Sequence, residues 1–267
     1  MIETAIPDRC LSVVVPVFNE EATVGTVIRK LLELSQLLEI VVVDDCSTDD
    51  TPSILESLCT GNTRIVLVRH DANQGKTEAL KTGFRLTRGD VVIVQDADLE
   101  YDPREIPFII APIIGGVADV VFGSRFQMGR TTHGLYPHLY LGNKCLTFLS
   151  NLATKLALTD VETCYKAFRG DIIRQMKLNS SGFGFEIEVT AKVAKLRCAV
   201  CEIPITYSGR TYQEGKKMSS WDGIAALIYI LRYNPFCSLT NSFHRPPQLG
   251  ATPARGRTPD KKAPVEA

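Results

Sequence analysis

"VVIVQDADLEYDP", residues 91–103, runs four β-branched residues almost directly into three carboxylates, Asp96, Asp98 and Glu100. A short apolar run bounded by polar residues reads as a strand buried on both faces, the habit of parallel sheets covered by helices. Working outward, the same design recurs. "LSVVVPVF" (Leu11–Phe18) is closed by Asn19 and Glu20, and Val24, Val27, Ile28, Leu31 and Leu32 then recur at helical spacing. "EIVVVDD" ends in Asp44 and Asp45 and is followed by the Ser/Thr/Asp-rich start of another helix, "CSTDDTPSILESL". "RIVLVRH" leads to "NQGK" and a third helix, and "DVVFGSR" predicts a fifth strand. Strands alternating with helices imply an α/β fold, a mostly parallel central sheet with helices on both faces. In such sheets ligands bind outside the carboxyl ends of the strands, which is where the polar residues collect.

The bulk numbers set limits on partners. The 267 residues carry 45% hydrophobic side chains, enough for a sizeable core. Thirty basic and thirty acidic residues cancel, so no nucleic-acid partner is expected and any phosphate binding must be local. Eight cysteines without repeated spacing predict reduced thiols and a cytoplasmic setting. The lone CxxC of Cys198 and Cys201 runs into an apolar strand pattern and lacks the second ligand pair of a zinc site. The opening "MIETAIPDRC" has no secretory h-region, and "IPFIIAPIIGGVADVVFG" contains breakers that predict helix, turn and strand, not a membrane span. From about Arg130 the composition shifts: "TTHGLYPHLYLGNK" reads as a loop, "NKCLTFLSNLATKLAL" and "FGFEIEVTAKVAKL" as helices, "CEIPITY" as a strand, and "SSWDGIAALIYILRY" as a helix apolar almost all round. The Pro-, Arg- and Lys-rich tail, 244–267, is expected to be disordered.

Carboxylates two apart on an extended chain point to opposite faces, but where the chain turns at a strand end both reach one cation. Oxygen ligands without His or Cys nearby select a hard ion such as Mg²⁺ or Mn²⁺, which commonly bridges to substrate phosphates. Asp96 and Asp98 otherwise cap the next helix; the second acid pair and the intervening Gly-Lys loop favour the ion. "HDANQGKT" is not a P-loop, because His70 stands where GxxxxGK[ST] needs its leading glycine.

"VVVPVFNEE", "VVVDDCSTDDT", "NQGKTEALKTG", "QDADLEYDP" and "FGSR", in this order, resemble the family 2 inverting glycosyltransferases of the GT-A fold. The resemblance covers roughly residues 11 to 236, and within the family it is strongest to the dolichol-phosphate mannose synthase-like, polyprenyl-phosphate group. "DVETCYKAFRG" and "YSGRTYQEGKK" support it, although "ETCYKAF" replaces that group's Ser-Gly-Phe-Arg pattern and leaves sugar and lipid open. The resemblance implies one GT-A domain over 1–243, with a nucleotide-sugar half (11–125) and a C-terminal helical acceptor half (126–243). It further implies transfer of a hexose, glucose or mannose, from UDP-glucose or GDP-mannose to a polyprenyl phosphate. Position by position, Pro16, Phe18, Glu20 and Asp45 would line base and ribose, with Asp44 fixing the loop. Gly75 would allow close approach and Lys76 would lie near base or diphosphate. Asp96 and Asp98 would hold Mg²⁺ or Mn²⁺, with Glu100 as a third ligand, and Asp98 and Arg125 would be the catalytic residues.

A phosphate acceptor, with a second pKa of about 6, is already largely dianionic and needs positive residues, not a base. Arg125, Arg210 and Lys216 suit that role better than Lys166 and Lys217. Trp221, Ile224, Leu227, Ile228, Leu231 and Tyr233 would let the last helix lie peripherally on a membrane or pack on a core or second subunit. Two alternatives remain. One is transfer to a sugar hydroxyl of a glycolipid or polysaccharide, with Glu162 as base. The other is a non-catalytic nucleotide-sugar-binding subunit.

Overall fold

The computed structural model describes residues 9–127, 132–133, 137–182, 184–210, 220–247 and 249, with the side chains of 132, 133, 138, 220–222 and 224 excepted. Nine strands and nine α-helices are described: β1 (Leu11–Val17), α1 (Val24–Leu32), β2 (Leu37–Asp44), α2 (Thr51–Cys59), β3 (Ile65–Arg69), α3 (Lys76–Leu86), β4 (Val91–Val94), α4 (Ile106–Ile114), β5 (Val120–Ser124), β6 (Thr132–His133), α5 (Pro137–Thr154), β7 (Lys166–Arg169), α6 (Gly170–Gln175), α7 (Phe185–Leu196), β8 (Val200–Pro204), β9 (Tyr207–Ser208), α8 (Ser220–Tyr233) and α9 (Leu239–Ser242).

Seven strands form one sheet in the order β3-β2-β1-β4-β7-β5-β8, and β6 pairs β9 in a separate two-stranded sheet. The Val/Ile-rich strands β1, β2 and β4 are buried almost throughout, as strands covered on both faces must be. Chain order reverses between β1 and β4, the place where such sheets open a crevice. The expectation of a mostly parallel sheet holds with one exception: β7 runs antiparallel to both β4 and β5. "KAFR" gave no strand signal because it is only four residues long and starts with a lysine.

Pro16 sits in a central strand without breaking it. The β1·β4 ladder ends at Val14↔Val94, whereas β1 stays paired with β2 as far as Val17↔Asp44, so the missing N–H falls beyond the end of β4. In the second half, α5 begins at Pro137 and takes in residues read as loop; proline is favoured in the first helical turn. Helices α5, α7 and α8 pack on one another around a small cluster of Val161, Ile187, Ala226 and Ile230, with Leu146 and Leu149 of α5 against it. The expected tail is anchored at its start, where the His244 N–H donates to the Gln175 carbonyl at 2.8 Å.

Candidate active site

Three turns leave the carboxyl edge of the sheet, after β1, β2 and β4, and each contains a non-glycine residue in the left-handed region: Asn19 (φ 51°), Cys46 (φ 64°) and Leu99 (φ 62°). Asparagine tolerates this conformation, but leucine there costs about 1 kcal/mol or more. The strain at Leu99 turns the chain between Asp98 and Glu100, and the Glu100 N–H donates back to Asp98 Oδ1 at 3.1 Å.

The three carboxylates of the opening stretch have separate partners. Asp96 pairs with Lys76, whose Nζ lies 3.0 Å from Oδ1 and 3.1 Å from Oδ2. Lys76 also reaches Glu186 Oε1 at 3.2 Å. Burial pulls the Lys76 ammonium down, but Asp96, Cys164 and Glu186 outweigh it and hold its pKa well above the ordinary value. Glu100 turns toward the C-terminal half, where it accepts from the Tyr207 hydroxyl at 3.0 Å and the Arg210 N–H at 2.8 Å. Asp98 meets the Arg210 guanidinium, Nη2 to Oδ2 at 3.0 Å, and the same guanidinium forks onto Glu20 at 3.0 and 3.1 Å. Burial first, then the Asp96 and Glu100 charges, push the Asp98 carboxyl up to about 7 against the pull of Arg210.

The expectation of three converging metal ligands is therefore corrected. Among the described residues no three His, Cys, Asp or Glu side chains converge on one point, because Lys76 takes Asp96 and the 207–210 segment takes Glu100. The donor set still fits a hard divalent cation: five carboxylates, Glu20, Asp96, Asp98, Glu100 and Glu186, adjoin two cations, Lys76 and Arg210, a formal surplus of three negative charges. Mg²⁺-type sites commonly use one or two protein carboxylates and complete the shell with substrate phosphate and water.

Other expected site residues are brought to the same edge, some in different roles. Pro16 and Phe18 are half-buried around the end of β1. Asp44 fixes its loop as expected, accepting from the Ser47 N–H at 3.0 Å and pairing with Arg69 at 3.2 Å. Asp45, expected to line base and ribose, has both oxygens engaged by the protein: the Gly75 N–H at 2.7 Å, the Gln74 N–H at 3.0 Å and His70 Nδ1 at 2.7 Å. It holds the glycine loop in place. Gly75 has φ +89°, ψ 163°, a conformation glycine adopts freely and a side chain resists.

Arg125, expected to bind an acceptor phosphate, is also corrected. Its Nε and Nη2 fork onto the fully buried Asp160 at 2.7 and 2.8 Å, so its charge is neutralised inside the protein. Burial alone would raise the Asp160 carboxyl, but Arg125 holds it below the usual range. Lys166 is buried too, donating to the carbonyls of Val161 and Thr163. Lys216 and Lys217, and the side chains of Trp221 and Ile224, lie outside the described residues.

Glu162 is placed beside this cluster. Its Oε1 is buried with no hydrogen-bond partner, and burial, reinforced by the Glu186 charge, pushes its carboxyl up to about 7 against Lys166. Sequence reading overlooked Glu186, which is 4% exposed and whose Oε2 is likewise unpartnered. The available signal was an acid on the inward side of the apolar helix "FGFEIEV". It also overlooked Asp160 and Tyr207, whose partners lie 35 and 107 residues away in sequence.

The model of the family described as "Glycosyl transferase family 2" matches residues 12–176. The chain is 28% identical over 230 residues to an undecaprenyl-phosphate mannosyltransferase of Micrococcus luteus, covering 82% of this chain and 92% of the relative. It is 30% identical over 215 residues to an undecaprenyl-phosphate 4-deoxy-4-formamido-L-arabinose transferase of Pseudomonas aeruginosa (79% and 61%). To the low-salt glycan biosynthesis hexosyltransferase Agl6 of Haloferax volcanii it is 32% identical over 205 residues (75% and 48%), so it spans about half to two-thirds of the latter two relatives. Among solved structures, glucosyl-3-phosphoglycerate synthase from Mycobacterium tuberculosis, in complex with Mn²⁺ and UDP-glucose, superposes with a TM-score of 0.67 at 20% identity, covering 85% of this chain and 79% of that one. That likeness establishes the shared GT-A fold. The chain belongs to glycosyl transferase family 2 and is a glycosyltransferase.

Proposed function

We propose that this protein transfers a hexose, glucose or mannose, from UDP-glucose or GDP-mannose to a polyprenyl phosphate, with inversion and with Mg²⁺ or Mn²⁺. The observation that carries the reading is the surplus of carboxylate around Asp98 at the switch point of the sheet, a place suited to one divalent ion and a diphosphate. When bound, the ion would be held by Asp98 and would supply Lewis-acid stabilisation of the charge growing on the leaving diphosphate. Pro16, Phe18 and Glu20 would border base and ribose. Asp45 and Gly75 would shape the loop beside them, and Lys76 would keep Asp96 oriented at the floor of the site. Arg210, with Lys216 from the neighbouring basic stretch, would position the acceptor phosphate, which needs no general base.

The names of the Micrococcus and Pseudomonas relatives support a lipid phosphate acceptor. Among the described residues no helix is long and apolar enough to cross a membrane. Helix α5 contains no acid, and Leu141, Phe148 and Leu152 on it are 70%, 66% and 71% exposed. Helix α8, packed against α5, exposes Leu227, Ile228 and Leu231. These faces would let the enzyme rest peripherally on the cytoplasmic side of a bilayer.

A second reading has its own observation. The buried, unpartnered Glu162 Oε1, on a carboxyl with pKa about 7, is poised as a general base for a sugar hydroxyl. One experiment tests both. The full chain is incubated with labelled UDP-glucose or GDP-mannose, Mg²⁺ or Mn²⁺ and, in separate reactions, polyprenyl phosphate or a glycolipid or polysaccharide acceptor, and the products are counted. Label entering the organic phase in acid-labile form is the expected result. Label moving only to a glycolipid or polysaccharide hydroxyl, with activity abolished in Glu162→Gln, would replace the first reading by the second.

A further inference from the structure

We infer that Arg210 is an internal stand-in for the divalent ion: guanidinium and ion are alternative partners of Asp98, and ion entry transfers Arg210 to a phosphoryl oxygen of the substrate. The inference rests on the proposed ion at Asp98 and adds how that site is regulated.

The two arginines of the site differ in a telling way. Arg125 forks onto the fully buried Asp160 with Nε and Nη2. Arg210 instead straddles two carboxylates from distant parts of the chain, Glu20 after β1 and Asp98 after β4. Its Nη2 lies 3.0 Å from Asp98 Oδ2 and 3.1 Å from Glu20 Oε1, so one nitrogen sits between two acids. Its own Nε–H is buried and finds no acceptor. A guanidinium with an orphaned buried donor is incompletely satisfied where it rests, so another anionic partner that satisfies it competes well.

The backbone around it is set for such an exchange. The Arg210 N–H and the Tyr207 hydroxyl are both bound to Glu100, and the Ser208 N–H donates to the Glu100 carbonyl at 3.0 Å. Those bonds tether the base of the side chain to the Asp98 turn while leaving its end on carboxylates the ion also needs. A divalent ion on Asp98 weakens the guanidinium's hold there, because their repulsion at about 4 Å exceeds what one carboxylate at about 3 Å returns to a single positive charge, whereas the doubly charged ion in direct contact gains more than it loses. A phosphoryl oxygen that accepts the freed guanidinium offsets the cost of displacing it, and because coupling is reciprocal the ion then raises the substrate's affinity by the same factor as the substrate raises the ion's. Ion and phosphorylated substrate therefore bind more tightly together than apart.

The test uses no turnover. The purified full chain is titrated with Mn²⁺ and free Mn²⁺ is followed by its EPR signal, for the wild type, Arg210→Gln, Arg210→Lys and Arg104→Gln. Arg104 pairs with Asp102, lies outside the site and controls for simple loss of a positive charge. Arg210→Gln is expected to bind Mn²⁺ about 10-fold more tightly than the wild type, within the usual range of coupling, Arg210→Lys by a smaller factor, and Arg104→Gln unchanged. Equal or weaker binding by Arg210→Gln and Arg210→Lys overturns the inference, as does equal tightening in Arg104→Gln. Absence of Mn²⁺ binding in every protein overturns the proposed ion site itself, so the two failures are distinguishable. Repeating the titration with UDP or GDP, and separately with inorganic phosphate, identifies the receiving oxygen. The wild-type coupling should weaken in Arg210→Gln for the diphosphate if donor oxygens receive the guanidinium, and for phosphate if acceptor oxygens do. Unchanged coupling for both overturns the transfer.

Discussion

Asp98 and Glu162 are two carboxyls with pKa pushed up to about 7, one beside a guanidinium and one with an oxygen bound to nothing. Their substitutions should behave oppositely. Asp98→Asn removes the ion's anchor, and since Lewis-acid stabilisation is worth several kcal/mol, transfer should fall by at least about 100-fold in a labelled-donor assay. Glu162→Gln should leave transfer to a phosphate acceptor within a few-fold of the wild type. A loss as deep as that of Asp98→Asn would instead mark Glu162 as the base of a hydroxyl transfer. Glu162 also carries a stability signature. Its folded pKa lies above the unfolded value of 4.5, so the folded state holds the extra proton between about pH 4.5 and 7, and stability falls as pH rises through that window. Urea unfolding at pH 8 should show Glu162→Gln more stable than the wild type by on the order of 2 kcal/mol, with the difference gone near pH 4. These residues show what the sequence could reveal. "DAD" at a strand end pointed to the carboxylate cluster, but Lys76 beside Asp96 and Arg210 beside Asp98 are contacts across 20 and 112 residues, invisible to any local pattern.

At the scale of elements, the half of the fold built from β1 to β4 was legible because each strand is nearly pure Val, Ile and Leu and each helix has an apolar stripe. The second half was less so. Strand β7 is four residues with a buried lysine at its head, and α5 hides behind a proline that reads equally as loop or first turn. Within that second half lies the buried Arg125–Asp160 pair. Asp160→Asn should leave a buried guanidinium without its counter-charge and cost about 3–5 kcal/mol in chemical unfolding, far more than loss of a surface pair. An unchanged unfolding midpoint would show that the pair does not hold the fold. Gly75→Ala tests the loop held by Asp45. Its Cβ would meet Gly182 at a tolerable 3.5 Å, so the cost comes from φ +89° alone, about 1–3 kcal/mol, and should appear mainly as a higher donor KM.

For the whole molecule, a balanced net charge and a chain rich in aliphatic residues gave no hint of what it acts on; that came from one edge of the sheet and one face of the helical layer. The exposed leucines and isoleucine of α8 and the α5 stripe predict co-flotation with liposomes that persists at 0.5 M salt, or roughly a 4 Å Debye length, because apolar burial is not screened. Replacing Leu227, Ile228 and Leu231 by serine should return the protein to the soluble fraction; retention of the wild-type protein there, with or without polyprenyl phosphate, would remove the membrane contact. The account as a whole turns on a divalent ion at Asp98 that grips a sugar donor's diphosphate. The most direct measurement is hexose transfer by protein stripped of metal with a chelator, before and after Mg²⁺ or Mn²⁺ is returned. The account predicts transfer near background in the stripped protein, restored by either ion in the wild type and by neither in Asp98→Asn. Full transfer in the stripped wild-type protein would contradict it.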